Sequence, residues 1–145
     1  MTLITDMTER LDEYFAVKSN LIDHYARHVN ETGEADPKTL REYPGAMAFK
    51  TEEMPDEETY DRLADELARR PLEKSKILGF IAIDGRIQKY NKDTKEFTSY
   101  NVNTGGDPIN ITYFPMSLDS WNENKKYGKH RYKEPLTPEK DAKPL

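Results

Sequence analysis

The chain predicts an α+β fold, with two N-terminal helices packed on a small antiparallel sheet of about four strands. Three observations carry that expectation. Apolar residues recur at helical spacing in two early segments, an Asp-Gly pair divides two β-rich runs near the middle, and beyond it helical periods give way to alternation. The reading places one folded domain over residues 7–121 and a polar, proline-containing, weakly ordered tail over 122–145.

The first helix is expected from about Met7 to Val29, where Leu11, Tyr14, Phe15, Leu21, Ile22, Tyr25 and Val29 form one apolar stripe. At about 100° per residue, His28 falls at the margin of that stripe and His24 slightly further toward solvent on the same side. From Asn30 to Pro55, Gly33, Pro37, Pro44, Gly45 and Pro55 interrupt any sustained period, which predicts a long excursion holding at most a short helical turn. Asp56 then caps a second helix with Glu57 and Glu58 in its first turn. Tyr60, Leu63, Ala64 and Leu67 make its buried face, and Pro71 closes it.

Strands follow. Lys76 to Ile83 and Arg86 to Tyr90 flank Asp84-Gly85, a hairpin signal because a type I′ turn needs positive φ at both central residues. In that two-residue register Ile83 pairs with Arg86 and Phe80 with Lys89, so Phe80, Ile87 and Lys89 share a face. Asn91 to Thr94 makes the next turn, Lys95 to Tyr100 a third strand, and Asn101 to Pro108 a loop. Ile109 to Phe114 is the fourth strand, ended by Pro115.

Composition narrows the function. With 22 Lys and Arg against 27 Asp and Glu, the net charge of -5 argues against a protein that coats nucleic acid through bulk electrostatics and leaves room only for a local basic cleft. The absence of cysteine excludes disulfides and thiolate metal sites. No stretch approaches the ~20 apolar residues of a membrane span, and Met1 to Arg10 has no apolar run of signal-peptide length, so no membrane partner is expected.

Chemistry at neutral pH points to His24 and His28, since four-residue spacing on a helix sets two imidazoles side by side. His130 lies in the polar tail and is passed over. Two histidines with a cation and small hydroxyls suit metal-free RNA cleavage: one imidazole takes the 2′-hydroxyl proton, the other protonates the departing 5′-oxygen, and Lys or Arg offsets the growing phosphorane charge. From spacing alone, two histidines that only pack and hydrogen-bond at the core edge are the more common case. A zinc site is disfavoured, because Tyr25 stands where a metalloprotease helix carries Glu; no metal or cofactor is expected. Taken singly, Lys89 and Thr112 read as ordinary strand residues, and Trp121, Tyr113 and Phe114 as core aromatics or base-stacking platforms.

The order of segments carries a resemblance. His24-x-x-x-His28, Tyr60-Asp61-Arg62-Leu63-Ala64, the run Asp84-Gly85-Arg86-Ile87-Gln88-Lys89-Tyr90-Asn91, Thr94-Lys95-Glu96-Phe97 and Ile111-Thr112-Tyr113-Phe114-Pro115 together resemble the C-terminal ribonuclease toxin domains of bacterial polymorphic toxins. Those domains are similar to the barnase, EndoU, colicin and RelE group of metal-independent ribonucleases. The likeness runs from about Leu21 to Trp121.

What it implies is a secreted or delivered toxin that cleaves RNA, tRNA among the candidate targets, in the cytoplasm of a rival cell, and that a cognate immunity protein restrains in the producer. Carried over by position, His24 and His28 are acid and base in unassigned order, Lys89 binds phosphate and Thr112 orients it. Ile111 and Phe114 stand where the family commonly has basic residues, so Arg86 or Arg27 would complete the phosphate clamp, with Tyr113 as a substrate contact. A reading from another class stands beside this one: a non-enzymatic acidic effector that occupies a basic protein partner.

Overall fold

A computed structural model describes residues 21–145. It is an α+β fold built on a five-stranded antiparallel sheet: β3 (Ile77–Ala82), β4 (Ile87–Asn91), β5 (Glu96–Val102), β6 (Pro108–Pro115) and β7 (Tyr132–Pro135), in spatial order β6-β5-β4-β3-β7. Two short strands, β1 (Val29–Asn30) and β2 (Phe49–Lys50), pair in parallel beside it. Residues 21–28 are helical (α1), followed by α2 (Pro37–Glu42), α3 (Glu57–Arg69) and α4 (Leu118–Tyr127). The expected stripe positions Leu11, Tyr14 and Phe15 lie outside the described residues.

The hairpin forms at Asp84-Gly85, but its register differs by one residue from the two-residue turn expected. Phe80 pairs with Gln88 and Ile81 with Ile87, because Gly85 N–H closes a turn on the Ala82 carbonyl and Ala82 N–H bonds to the Arg86 carbonyl, leaving Ile83, Asp84 and Gly85 as a three-residue loop. Gly85 alone takes positive φ, at 87°. The slip exchanges faces. Phe80, Gln88, Tyr90, Phe97, Ser99, Thr112 and Phe114 share one side of the sheet; Ile81, Ile87, Lys89, Thr98, Tyr100 and Tyr113 share the other.

On the second side lies α3. Asp56 caps it by accepting the Thr59 N–H at 2.7 Å, and Tyr60, Ala64, Leu67 and Ala68 are buried against the sheet, with the Tyr60 hydroxyl donating to the Tyr113 carbonyl. On the first side, Tyr43, Phe80, Tyr90, Phe97, Phe114, Met116 and Trp121 form an aromatic-rich core, in which Trp121 of α4 stacks on Tyr90 at 5.2 Å.

The expected long excursion is more structured than its glycines and prolines suggest. Asp36 caps α2, with Pro37 at its first position, and the Met47 N–H bonds the Pro115 carbonyl at the end of β6. Residues 122–145 are not a loose tail. The helix α4 runs on to Tyr127, β7 forms the fifth strand against β3, and Leu136 and Ala142 are buried. Their polar composition reflects an edge strand exposed along most of its length, with Leu136 and Ala142 as its buried apolar neighbours and the half-exposed Tyr132 ring against Phe80.

Candidate active site

An open cleft of about 680 Å³ lies at the β6 edge, lined among others by His24, Tyr43, Arg86, Asn110, Thr112 and His130. Of the seven residues expected at a site, His24, Thr112 and Arg86 meet here. Each arrives from a different place: His24 from α1, Arg86 from the position just before β4, and Thr112 from β6.

His24 is partly buried, with its ring centroid 5.9 Å from that of His28. Burial and the nearby Arg27 cation hold its pKa below the usual histidine value, against a weaker upward pull from Asp23 and a hydrogen bond to the Ile111 backbone. It is therefore neutral at pH 7, the state a proton acceptor requires.

Arg86 is fixed along one edge of its guanidinium. Nε donates to Ser99 Oγ, and Nη2 to the carbonyls of Ser99 and Asn110, each at 2.8 Å. The irregular pairing between β5 and β6 and the positive φ of Asn110 (53°) aim that second carbonyl at Arg86. Among the described residues these bonds use Nε and Nη2, and none engages Nη1. Buried Gln88 donates to the same Ser99 hydroxyl at 2.7 Å. Burial pushes the Tyr43 phenol up to about 12, so it stays protonated.

The other expected residues are elsewhere. His28 is 2% exposed, its ring 5.3 Å from that of Phe114, and burial together with the adjacent His24 lowers its pKa to about 3; it is a neutral core residue rather than half of an acid–base pair. Lys89 is on the opposite sheet face and fully buried. Its ammonium donates to the Ala68 and Arg70 carbonyls at the end of α3, at 2.9 and 2.8 Å, and pairs with Asp141 at 2.8 Å, so it closes a helix terminus and does not reach the cleft. Tyr113 shares that face, fully buried, with its hydroxyl on Glu96, and offers no surface to a base. Arg27 bonds Asp23 at 2.8 Å and lies 3.9 Å from the α2 cap Asp36, tying α1 to α2.

His130, outside the set expected from the sequence, also lines the cleft. Its Nδ1 lies 2.5 Å from Asp84 Oδ2, its ring stacks on Tyr43 at 4.9 Å, and its Nε2 is buried with no hydrogen-bond partner among the described residues, Glu42 Oε2 being 4.0 Å away. Asp84 is 46 residues upstream, so no local spacing could have joined the two. The signal was the Asp-Gly turn itself, which places a carboxylate beside the neighbouring edge strand.

Among the described residues no three His, Asp or Glu side chains cluster as a metal site, and no helix is long and apolar enough to cross a membrane. Comparison with protein-family models, with curated proteins and with solved structures gives no match.

Proposed function

We propose that the chain is a metal-independent endoribonuclease whose centre is the β6-edge cleft. One observation carries the reading: the cleft gathers a neutral imidazole, an anchored guanidinium with a free nitrogen, and a hydroxyl, on His24, Arg86 and Thr112. In RNA transesterification the 2′-oxygen bonds to phosphorus as the bond from phosphorus to the 5′-oxygen breaks. His24 takes the 2′-hydroxyl proton, Arg86 Nη1 binds a non-bridging oxygen and offsets its growing charge, and Thr112 orients the phosphate. The products are a 2′,3′-cyclic phosphate and a free 5′-hydroxyl.

This centre differs from the His24, His28, Lys89 and Thr112 set expected from the sequence, while keeping the reaction. The toxin setting belongs to the same proposal: delivery into a target-cell cytoplasm, with a cognate inhibitor protein in the producer. It rests only on the resemblance of the segment order to ribonuclease toxin domains. A net charge of -5 fits an enzyme that grips one phosphate locally, and predicts weak dependence of RNA binding on salt.

The test is incubation of purified protein with end-labelled RNA in excess chelator. Cleavage with 2′,3′-cyclic ends is expected, and its loss in a folded His24→Gln variant excludes a contaminating nuclease. Intact RNA after prolonged incubation with folded wild-type protein would sink the reading and leave protein binding as the function to pursue.

A further inference from the structure

The cleft as proposed holds one neutral histidine, and the reaction moves two protons. As the phosphorus–oxygen bond breaks, the departing 5′-oxygen needs a proton at its own side of the phosphate, from a group other than the one that accepts from the 2′-hydroxyl. His28 cannot supply it, being sealed against Phe114.

We infer that His130, oriented by Asp84, is the second proton-transfer residue of this cleft and delivers its Nε2 proton to the departing 5′-oxygen. The inference rests on the ribonuclease reading and names the half of its chemistry still unassigned. Three observations support it. The His130 side chain is only 9% exposed, yet its Nε2 has no hydrogen-bond partner among the described residues while the ring lines the cleft. A buried polar nitrogen without a partner is destabilising, so a fold that keeps one needs a compensating reason, and a ligand atom placed there is one.

The ring is also held from its other end. With Nδ1–H donated to Asp84, Nε2 is left as the reactive nitrogen, and stacking on Tyr43 fixes the ring plane. Finally, the topology assembles the pair. Strand β7 pairs with the end of β3, the Ile83 N–H bonds the Arg131 carbonyl, and residue 130 is thereby set beside the loop that carries Asp84. Glu42 at the end of α2, with Lys129 at 3.7 Å from it, flanks the ring without bonding Nε2. Asp84 touches no substrate in this scheme; it is a positioning residue.

Proton and bond counts balance without a co-reactant. His24 gains the proton lost from the 2′-hydroxyl, protonated His130 loses one to the 5′-oxygen, and one phosphorus–oxygen bond replaces another. Solvent restores both rings before the next turnover.

The experiment compares steady-state cleavage of a fluorescent oligoribonucleotide by wild type, His24→Gln, His130→Asn and Asp84→Asn, with thermal unfolding of each and ¹⁵N NMR of the histidine side chains. The expected result is a loss of ~100-fold or more in kcat for His130→Asn with KM retained. Asp84→Asn should lose ~10-fold or more in kcat at unchanged KM and alter the His130 tautomer, a signature that a merely structural role would not produce.

If His130→Asn does not fold, Asp84→Asn decides, because its carboxamide oxygen can still accept the Arg86 N–H of the turn. Wild-type cleavage that needs His24 but survives both other substitutions within threefold overturns the inference and leaves the ribonuclease reading standing. Wild-type protein that leaves RNA intact overturns that reading instead. In that case titration with 3′-uridine monophosphate decides on the residue: a shift of the His130 Nε2 resonance supports it as the ligand-facing group, and an unmoved resonance overturns that role too.

Discussion

The two faces of the sheet treat buried polar groups in opposite ways. Under α3, the Lys89 ammonium has three oxygen partners and the Tyr100 hydroxyl bonds the same Asp141 carboxylate at 2.5 Å. Across the sheet, Ser99, itself bonded by Gln88, and the Asn110 carbonyl hold Arg86 along one edge, while among the described residues a guanidinium nitrogen and the His130 Nε2 are left over. A closed network fixes one conformation and has nothing to offer a ligand. A network with spare donors and acceptors fixes its members and still presents them. The contrast separates the structural cation, Lys89, from the one proposed to function, Arg86, although they stand three positions apart in the chain.

The largest expected effect comes from opening the closed face. Asp141→Ala leaves a buried ammonium without its counter-charge and should cost roughly 3–5 kcal/mol, read as a lowered urea midpoint. Where that variant remains folded, cleavage should persist, since neither residue reaches the cleft. A loss below about 1 kcal/mol would show the pair to be dispensable and would erase the contrast.

The opposite outcome is expected on the open face. His24→Gln should reduce RNA cleavage by ~100-fold, about 2.7 kcal/mol in the transition state. Its unfolding free energy, from urea denaturation, should change by less than about 1 kcal/mol, because the side chain is only partly buried. Stability and activity measured on the same two variants would thus respond in reverse order. A His24→Gln protein with full activity would remove the cleft from consideration.

His28 sharpens the division within the open face. Its folded pKa is about 3 against 6.5 for a free histidine, so the unfolded chain takes up a proton that the native state refuses. Its contribution to stability is intact above pH 6.5 and declines as the pH falls toward 3, reaching a deficit of roughly 2–3 kcal/mol near pH 4.5. His28→Leu removes this titration. Urea midpoints at pH 7 and 4.5 should therefore converge more closely in the variant than in the wild type, and equal acid sensitivity in the two proteins would show that His28 is not the buried neutral group described.

These differences explain what could be read from the chain. The α3 helix was legible because its evidence is local: Asp56 at the cap, acids in the first turn, and Tyr60, Leu63, Ala64 and Leu67 on one face. The hairpin was legible as a turn but not in register, since Asp-Gly permits both a two-residue loop and the three-residue loop found; one residue of slip moves Lys89 off the face of Phe80, and the pairing of β4, β5 and β6 sets Lys89 and Tyr113 on the face opposite Thr112. His24 and His28 were correctly adjacent, but a spacing of four does not say which ring faces the core; Phe114 decides that. The final segment hid its role because an exposed edge strand needs few apolar residues, and Asp141 and His130 act through partners 52 and 46 positions away.

The smallest effect tests the turn that joins the two halves of the proposed site. Gly85 has φ of 87°, and a Cβ built there meets no atom within 4 Å, so Gly85→Ala should suffer only the intrinsic penalty of a left-handed conformation, about 1 kcal/mol. Gly85→Asn should recover part of it, because asparagine tolerates that region better. Gly45 is the control: its φ is similar, at 84°, but an added Cβ would lie 2.1 Å from Ser120 Oγ, so Gly45→Ala should cost clearly more than Gly85→Ala by urea denaturation. If Gly85→Ala instead proved the more damaging, the turn would be held by contacts beyond its backbone, and the placement of Asp84 against His130 would depend on more than the three-residue loop.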